Sequence, residues 1–247
     1  MEIIKQGLVS LSNALINHKE CFEGKKYLVT GAAGFLGKYF VALIHYLNNN
    51  ILDNPATLYC LDNFITGYIE DQIISDDNII FFHHNIINPY EIDDSIDYII
   101  HAAGIASPFY YTKYPIETMD VTTIGTRNML ELARQKKVKG FVFTSSSEVY
   151  GDPPDEYIPT PETYKGSVSI SGPRACYDES KRFAEVLCTG FLGVYKVPIK
   201  IVRYFNVYGP GLKSNDYRVL PNFIERGLKK ESLRVHGEGR NTRSYCY

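Results

Sequence analysis

The sequence has no tryptophan, only five cysteines and almost no net charge. Its 247 residues include 26 Lys and Arg against 28 Asp and Glu, a formal net charge of −2. Because a basic excess is missing, the composition argues against nucleic acid as a partner. The cysteines are scattered, odd in number and without a C-x-x-C pair, which indicates reduced thiols in a cytoplasmic protein and no metal site.

Long apolar runs and targeting signals are missing as well. No stretch reaches the ~20 apolar residues that a membrane helix requires, so no membrane partner is expected. Residues 1–20 contain an early acid, no positively charged start and no long apolar run, which excludes a secretory signal peptide. The hydrophobic share of 45% and the charged share of 22% are typical of a globular protein.

From Lys25 onward, short apolar runs alternate with segments of helical periodicity. Such runs, bounded by turn residues and separated by helices, predict a Rossmann-type α/β fold, a doubly wound parallel sheet with helices on both faces. Six strands are predicted near residues 27–30, 57–61, 79–82, 98–100, 141–143 and 198–202, and three helices over 35–47, 116–136 and 177–195. Before Cys21, apolar residues at helical spacing predict a further amphipathic helix, which either packs on the domain surface or forms an oligomer contact.

These patterns divide the chain into three predicted parts. Residues 1–24 form an N-terminal helical extension, 25–203 a cofactor-binding Rossmann domain, and 204–247 a smaller substrate-binding lobe. The lobe is expected over the carboxyl edge of the sheet, where such folds bind ligands. Residues 243–247 resemble the start of an element, so we expect the C-terminal lobe to be incomplete.

A glycine-rich turn, Gly31-Ala-Ala-Gly34-Phe-Leu-Gly37, follows the first predicted strand and opens the next helix. Gly31 permits the tight turn, Gly34 lets a pyrophosphate approach the backbone, and Gly37 allows close helix–strand packing. Free N–H groups at the start of the helix would hold the phosphates. Tight turns need glycine anyway, so the position between strand and helix is what favours a dinucleotide site.

Asp62 ends the second predicted strand, where an acid accepts hydrogen bonds from the adenosine ribose. A carboxylate there repels the additional phosphate of NADP, and no Arg or Lys lies between Asp62 and Glu70. Without the glycine turn, Asp62 could equally be a turn-forming residue before Asn63. Together the two features predict NAD as the cofactor.

Tyr177 and Lys181 form a Y-x-x-x-K pair, and residues four apart share one face of a helix. One such pair is expected by chance in a chain with 20 Tyr, so its position after a strand that ends in Ser145-Ser146-Ser147 is what matters. A phenol with a pKa near ~10 needs about 4 kcal/mol of differential stabilisation to act as a base near pH 7. The Lys181 charge supplies part of it, and Ser146 would orient a substrate hydroxyl.

Longer motifs surround these residues. The runs Thr144–Pro153 and Gly172–Arg182 resemble the extended short-chain dehydrogenases and, within them, the UDP-glucuronate decarboxylases. The glycine turn and the Y-x-x-x-K pair are superfamily-wide, whereas Gly-Pro-Arg-Ala-Cys-Tyr-Asp-Glu is much narrower. The resemblance covers about residues 25–247, with further agreement at 61–67, 124–126, 205–210 and 218–223.

The resemblance implies an enzyme that decarboxylates UDP-glucuronate through a 4-keto intermediate to UDP-xylose, using NAD. It places Glu148 and Arg243 at the reacting carboxylate, as catalytic residues beside Ser146, Tyr177 and Lys181. It implies a homodimer through the helices at 116–136 and 177–195. The implied substrate-binding residues are Ser147, Asn206, Arg218 and Arg243, and the implied cofactor-binding residues are Gly31, Gly34, Phe35, Leu36, Gly37, Asp62, Asn63, Asn85, Ile86, Ala102, Ala103, Gly104, Tyr177 and Lys181.

Other functions remain open at this point. Sugar 4,6-dehydratases place an Asp where this chain has Ser147, and 4-epimerases do not need Glu148, so either would be a less fitting nucleotide-sugar enzyme. A non-catalytic regulatory protein that binds NAD or a nucleotide sugar is the alternative of another class, although it would not need a phenolate base. Asn85, the loop His101-Ala-Ala-Gly104, His236 and Asn241 depart from the family pattern at positions of cofactor and substrate recognition.

Overall fold

A computed structural model of the protein describes residues 2–66, 76–213, 218–235, 237–240 and 242–247, with side chains from residue 7 onward. One sheet contains six parallel strands in the order β3-β2-β1-β4-β5-β6. This order is that of a doubly wound fold, in which the direction reverses beside β1, and it confirms the predicted fold class. The strands are β1 (Lys26–Thr30), β2 (Thr57–Asp62), β3 (Ile79–His83), β4 (Tyr98–His101), β5 (Gly140–Ser146) and β6 (Ile199–Tyr204).

Each face of the sheet is buried by helices. On one face, Val29 and Leu58 pack with residues of helix α2 (Phe35–Asn50). On the other face, Leu28 packs with residues of α4 (Pro115–Lys136) and α5 (Ala175–Tyr195). Successive residues of one strand therefore meet different helices, which explains why these strands are nearly continuous apolar runs and not alternating ones.

Two helices were not predicted from the sequence. Helix α3 (Pro108–Lys113) is a short segment before α4, and α6 (Val219–Leu228) lies near the end of the chain. Pro221 lies in the first turn of α6, where the missing N–H would have no partner in the helix. A proline within an apolar segment therefore marks a helix start here, although it weakens the periodic pattern on which the prediction depended.

The chain ends close to the carboxyl edge of the sheet. After β6, strand β7 (Asn206–Val207) pairs in parallel with β8 (Tyr245–Cys246), which brings the last residues back to the segment that leaves the sheet. At the other end, α1 (Glu2–Leu15) continues into a 3₁₀ turn over Ile16–Cys21. Leu8 and Leu15 pack against the α2 side of the core, so α1 covers the domain surface. The boundaries of the three predicted parts remain a prediction.

Within the described ranges, no helix combines the length and the apolar character that crossing a bilayer requires. The cysteine thiols are all free. No group of three or more His, Cys, Asp or Glu in the described part of the chain is arranged to hold a metal ion.

Candidate active site

The glycine turn forms a tight cradle between β1 and α2. Gly31 has a φ of +69°, and a Cβ added there would lie 2.7 Å from the Cα of Ala103. A Cβ on Gly37 would lie 2.1 Å from the carbonyl oxygen of Gly31. The first N–H groups of a helix have no intrahelical partner. Gly34, the N-cap of α2, has no side chain that could accept from them, so they are available to a ligand. This geometry is that of a phosphate-binding helix start.

Two backbone hydrogen bonds position the Asp62 carboxylate at the end of β2. Its Oδ2 accepts a hydrogen bond from the Ala33 N–H at 2.9 Å, and its Oδ1 accepts one from the Phe64 N–H at 2.8 Å. Burial raises the pKa of the carboxyl, while the backbone hydrogen bonds and the charge of Lys213 oppose that rise. A small pocket of about 100 Å³ lies beside Asp62 and is lined by six further residues predicted to bind the cofactor: Asn63, Asn85, Ile86, Ala102, Ala103 and Gly104.

A larger cleft of about 460 Å³ adjoins this pocket, since both are lined by Gly31, Gly34 and Thr66. It runs from the glycine turn to the C-terminal lobe. The cleft therefore brings the predicted catalytic and substrate-binding residues together with the glycine turn. Its lining includes Phe35, Leu36, Gly37, Ser146, Ser147, Glu148, Tyr177, Lys181, Asn206, Arg218 and Arg243.

Tyr177 lies in the first turn of α5 with its ring packed against that of Tyr111, the centroids 5.4 Å apart. Burial raises the pKa of the phenol to about 12, against the opposing effects of a hydrogen bond with Ser146 and of the Arg218 charge. The phenol is therefore protonated at neutral pH in the protein alone. It needs an additional positive charge in the cleft before it can act as a base.

Lys181 is one helical turn further along α5 and is 3% exposed. Its Nζ donates a hydrogen bond to the Thr144 carbonyl at 2.7 Å and lies 5.9 Å from the centroid of the Tyr177 ring. Burial lowers the pKa of the ammonium to about 8, so it still carries its charge at neutral pH. A Cβ on Gly104 would lie 3.5 Å from Nζ, which places this cation next to the loop after β4.

Glu148 follows β5 in a 3₁₀ turn and forms an ion pair with Arg174. Arg174 also lines the cleft, and its Nε lies 3.6 Å from a carboxylate oxygen of Asp178. Burial raises the pKa of Asp178 to about 6, although the Arg174 charge opposes this. The sequence prediction did not assign Arg174 or Asp178 to the site. Both lie in the narrow motif that includes Tyr177, so that motif was the available signal.

The three substrate-binding residues predicted in the lobe all reach the cleft. The pairing of β7 with β8 brings Asn206 and Arg243 together, since the Asn206 Nδ2 donates to the Ser244 carbonyl at 2.9 Å. Arg218 is the N-cap residue of α6, close enough to Tyr177 for its charge to lower the phenol pKa. His236 and Asn241 lie outside the described residues, as does Gly67.

His101, at the end of β4, lines neither pocket but supports the loop that does. It is completely buried between hydroxyl groups, with Nδ1 2.7 Å from Thr30 Oγ1 and Nε2 2.9 Å from Thr126 Oγ1. Burial, together with the Lys181 charge, lowers the pKa of the imidazole to about 3, so the ring is neutral. Thr30 Oγ1 also accepts the Ala103 N–H at 3.2 Å, so the network positions the loop that lines both pockets.

Residues 27–247 match the model of a family described as the NAD dependent epimerase/dehydratase family. Among curated proteins, the chain is 39% identical over 225 residues to UDP-glucuronic acid decarboxylase 1 of Xenopus tropicalis, covering 90% of this chain and 51% of that protein. The chain thus spans about half the length of the curated relatives that it matches first.

Solved structures of related enzymes share the fold. An epimerase from Methanothermobacter thermautotrophicus superposes with a TM-score of 0.79 at 27% identity, over 94% of this chain and 67% of that one. UDP-glucose 4-epimerase from Thermus thermophilus, solved in complex with NAD, gives a TM-score of 0.70 at 26% identity, over 90% of this chain and 70% of that one.

Proposed function

The chain belongs to the NAD-dependent epimerase/dehydratase family, and from this premise we propose that it decarboxylates UDP-glucuronate through a 4-keto sugar to UDP-xylose. One observation carries the proposal. The cleft that contains Tyr177 and Lys181 is also lined by Glu148 and by three arginines, Arg174, Arg218 and Arg243. A nucleotide uronate carries a diphosphate and a carboxylate, and planar guanidinium groups suit the bidentate binding of both anions.

The cradle around Gly31 and Gly37 and the carboxylate of Asp62 fit NAD as the resident cofactor. At Gly31 and Gly37 a Cβ would collide with backbone atoms, so glycine is what keeps the turn tight enough for a pyrophosphate to approach the backbone. Asp62 offers carboxylate oxygens as acceptors to a ribose. Residues of the glycine turn and Asp62 would hold NAD, which when bound would supply reversible hydride acceptance and a positive charge to the cleft. The family is defined by this dependence, and the solved Thermus relative contains NAD.

Residues of the chain carry out the proton transfers and the binding of the sugar. Tyr177 takes the proton of the sugar 4-hydroxyl, Ser146 orients that hydroxyl, and Lys181 favours the phenolate form. The ketone formed at C4 is β to the carboxylate, so the electrons of the breaking carbon–carbon bond move to the ketone oxygen as carbon dioxide leaves. Glu148 and Arg243 lie in the same cleft. Arg243 binds the carboxylate, and after carbon dioxide has left, it orients a water that protonates the ring carbon.

A 4-epimerase is the second candidate, because the solved structures with the same fold include epimerases at 27% identity. Epimerisation needs the same tyrosine–lysine pair but no acid at position 148. A 4,6-dehydratase is less suited, since the cleft presents the hydroxyl of Ser147 where those enzymes use a carboxylic acid. A regulatory protein would have no need of the buried Lys181 cation.

The protein further acts, in this proposal, as a homodimer in the cytoplasm. Helices α4 and α5 pack against each other on one face of the sheet and leave apolar side chains exposed. Phe183, Val186 and Val194 of α5 are 51%, 68% and 71% exposed, and Ile124 of α4 is 47% exposed. A symmetric pairing of these faces would bury them. Five free thiols are in keeping with a reducing compartment.

The decisive experiment is incubation of the protein with NAD and UDP-glucuronate, followed by detection of carbon dioxide and of the nucleotide product by mass spectrometry. We expect carbon dioxide and a UDP-pentose, and release of the 4-keto pentose would show that the final reduction is absent. Tyr177→Phe is the matched control. It should bind NAD almost normally while turnover falls roughly two to four orders of magnitude.

Unchanged UDP-glucuronate, with a protein that binds NAD, would contradict the decarboxylase proposal. Conversion of UDP-glucose to UDP-galactose by the same sample would then support the epimerase. Wild-type turnover in Tyr177→Phe would refute the assignment of the base, whichever sugar reacts.

A further inference from the structure

The segment that leaves β7, residues 208–213, lines the large cleft through Tyr208, Gly211, Leu212 and Lys213. The hydroxyl of Tyr39, in the second turn of α2, donates a hydrogen bond to the Pro210 carbonyl at 2.8 Å. A Cβ on Gly209 would lie 3.0 Å from the same hydroxyl. The 208–213 segment is therefore packed closely against the helix whose N-terminus forms the phosphate cradle.

Lys213 connects this segment to the opposite side of the cleft. Its Nζ donates a hydrogen bond of 2.7 Å to the carbonyl of Thr66, which is 147 positions earlier in the chain. Thr66 belongs to the loop that follows Asp62, and it lines both the adenosine-side pocket and the larger cleft. The charge of Lys213 is also close enough to lower the pKa of Asp62.

Two lysines and a helix N-terminus contribute positive charge to the cleft. The start of α2 lines it with Gly34, Gly37 and Lys38, and the C-terminal lobe lines it with Lys213. The N-terminus of a helix attracts anions through its free N–H groups and its dipole. A second cation that arrives from a different part of the chain makes the cleft suited to a dianion, such as a diphosphate, rather than to a single phosphate.

We propose that Lys213 binds the diphosphate of the dinucleotide cofactor, and that its bond to the Thr66 loop and the Tyr39–Pro210 bond hold the 208–213 segment over the bound cofactor. The proposal rests on the proposed function only in requiring that the cleft binds NAD. A nucleotide sugar would bring a diphosphate to the same cleft. The cofactor is favoured because Thr66, the partner of Lys213, follows the ribose-binding Asp62.

This arrangement has a consequence for turnover. A redox-neutral reaction needs the cofactor to stay bound between the first and the second hydride transfer. Two bonds that close the 208–213 segment over the cofactor would slow its dissociation, because both have to break before the cleft opens.

The test is calorimetric titration of the full chain with NAD⁺ and, separately, with UDP, for the wild type and Lys213→Met. We expect the Kd for NAD⁺ to rise roughly tenfold or more in Lys213→Met, since a charge-assisted hydrogen bond is lost, while the Kd for UDP stays within about twofold. Lys213→Arg, which keeps the charge, should stay within about threefold of the wild type. Lys229→Met is the matched control, because Lys229 is exposed and pairs with Glu225 outside the cleft.

Tyr39→Phe removes the second bond without changing any charge. We expect faster release of NADH from Tyr39→Phe, followed by the fluorescence of the nucleotide itself, since the chain has no tryptophan to transfer energy to it. Thermal unfolding checks that the variants fold, and Lys213→Gln replaces Lys213→Met if the latter unfolds early.

An unchanged Kd for NAD⁺ in a folded Lys213→Met, or a loss confined to UDP, would overturn the assignment. NADH release from Tyr39→Phe at the wild-type rate would overturn the closure of the segment. A wild-type chain that binds no NAD⁺ would instead refute the proposed function, so the two failures are distinct. None of these readouts requires turnover.

Discussion

Lys181 shows what the chemistry of the cleft demands of a single residue. Lys181 is 3% exposed, so its ammonium group has lost most of its hydration, and the Thr144 carbonyl at 2.7 Å and the ring of Phe143 at 4.9 Å replace only part of it. Burial lowers its pKa from 10.5 to about 8, so at neutral pH the protein retains a cation at a cost in stability. That cost is expected where a charge serves the reaction rather than the fold.

Lys181→Met removes this buried charge. Because the folded-state pKa lies below the unfolded one, the cost of the charge is fully present below pH 8 and disappears as the pH rises towards 10.5. We expect the variant to be more stable than the wild type at pH 7 by roughly 2 kcal/mol, the lost hydrogen bond to Thr144 offsetting part of the gain. Turnover should be lost.

Urea unfolding of both proteins at several pH values between 7 and 10 measures this. The stability advantage of the variant should shrink steadily from pH 8 upward. Lys165→Met, at an exposed position, is the control and should show no such trend. A variant less stable than the wild type at pH 7, or an advantage independent of pH, would show that burial of Lys181 is not costly.

At the scale of elements, the start of α2 depends on backbone contact that only glycine permits. A Cβ on Gly37 would lie 2.1 Å from the Gly31 carbonyl oxygen, so Gly37→Ala has to push the helix away from the turn. We expect a loss of about 1–3 kcal/mol in the free energy of unfolding, as in other overpacked sites. NAD affinity should fall more than tenfold, because the helix N–H groups leave their positions.

Gly193→Ala in α5 is the matched substitution. A Cβ at Gly193 would meet no atom within 4 Å, so alanine should stabilise the helix by about 0.5–1 kcal/mol and leave NAD binding unchanged. Denaturant unfolding and calorimetry on both variants provide the comparison. Similar effects of the two substitutions would argue against a special role for the glycine turn.

The elements with a strong local sequence pattern were predicted, and those that depend on distant contacts were not. The strands and the helices α2, α4 and α5 have strong apolar patterns and were predicted, with differences of a few residues at their ends. Helix α6 and the β7–β8 pair were not predicted. Two-residue strands that pair across nearly 40 positions have no local pattern, because the partner is chosen by the packing of the lobe.

For the whole molecule, the apolar face formed by α4 and α5 leads to a prediction about assembly. We expect the wild type to be a dimer at micromolar concentration in size-exclusion chromatography with light scattering. Phe183→Glu combined with Val186→Glu should give a monomer, because two charges would be placed in the proposed interface. Ile170→Glu is the control, since Ile170 is 90% exposed but lies in a loop away from both helices.

A monomeric wild type would refute the dimer, and so would a dimer that survives the double substitution. Either outcome would leave the assignment of the active site intact, since the cleft is built from residues of one chain.

The sequence by itself determined the class of fold and the glycine turn, because apolar periodicity and glycine spacing act over a few residues. It also determined the Tyr177–Lys181 pair, since helical geometry alone places residues four apart on one face. Only the tertiary structure decided what surrounds them. Three contacts join segments that are distant in the chain: the ion pair of Arg174 with Glu148, the hydrogen bond of His101 with Thr30, and the hydrogen bond of Lys213 with Thr66. Such contacts depend on how the sheet, the helices and the lobe pack together, and no local sequence pattern predicts this packing.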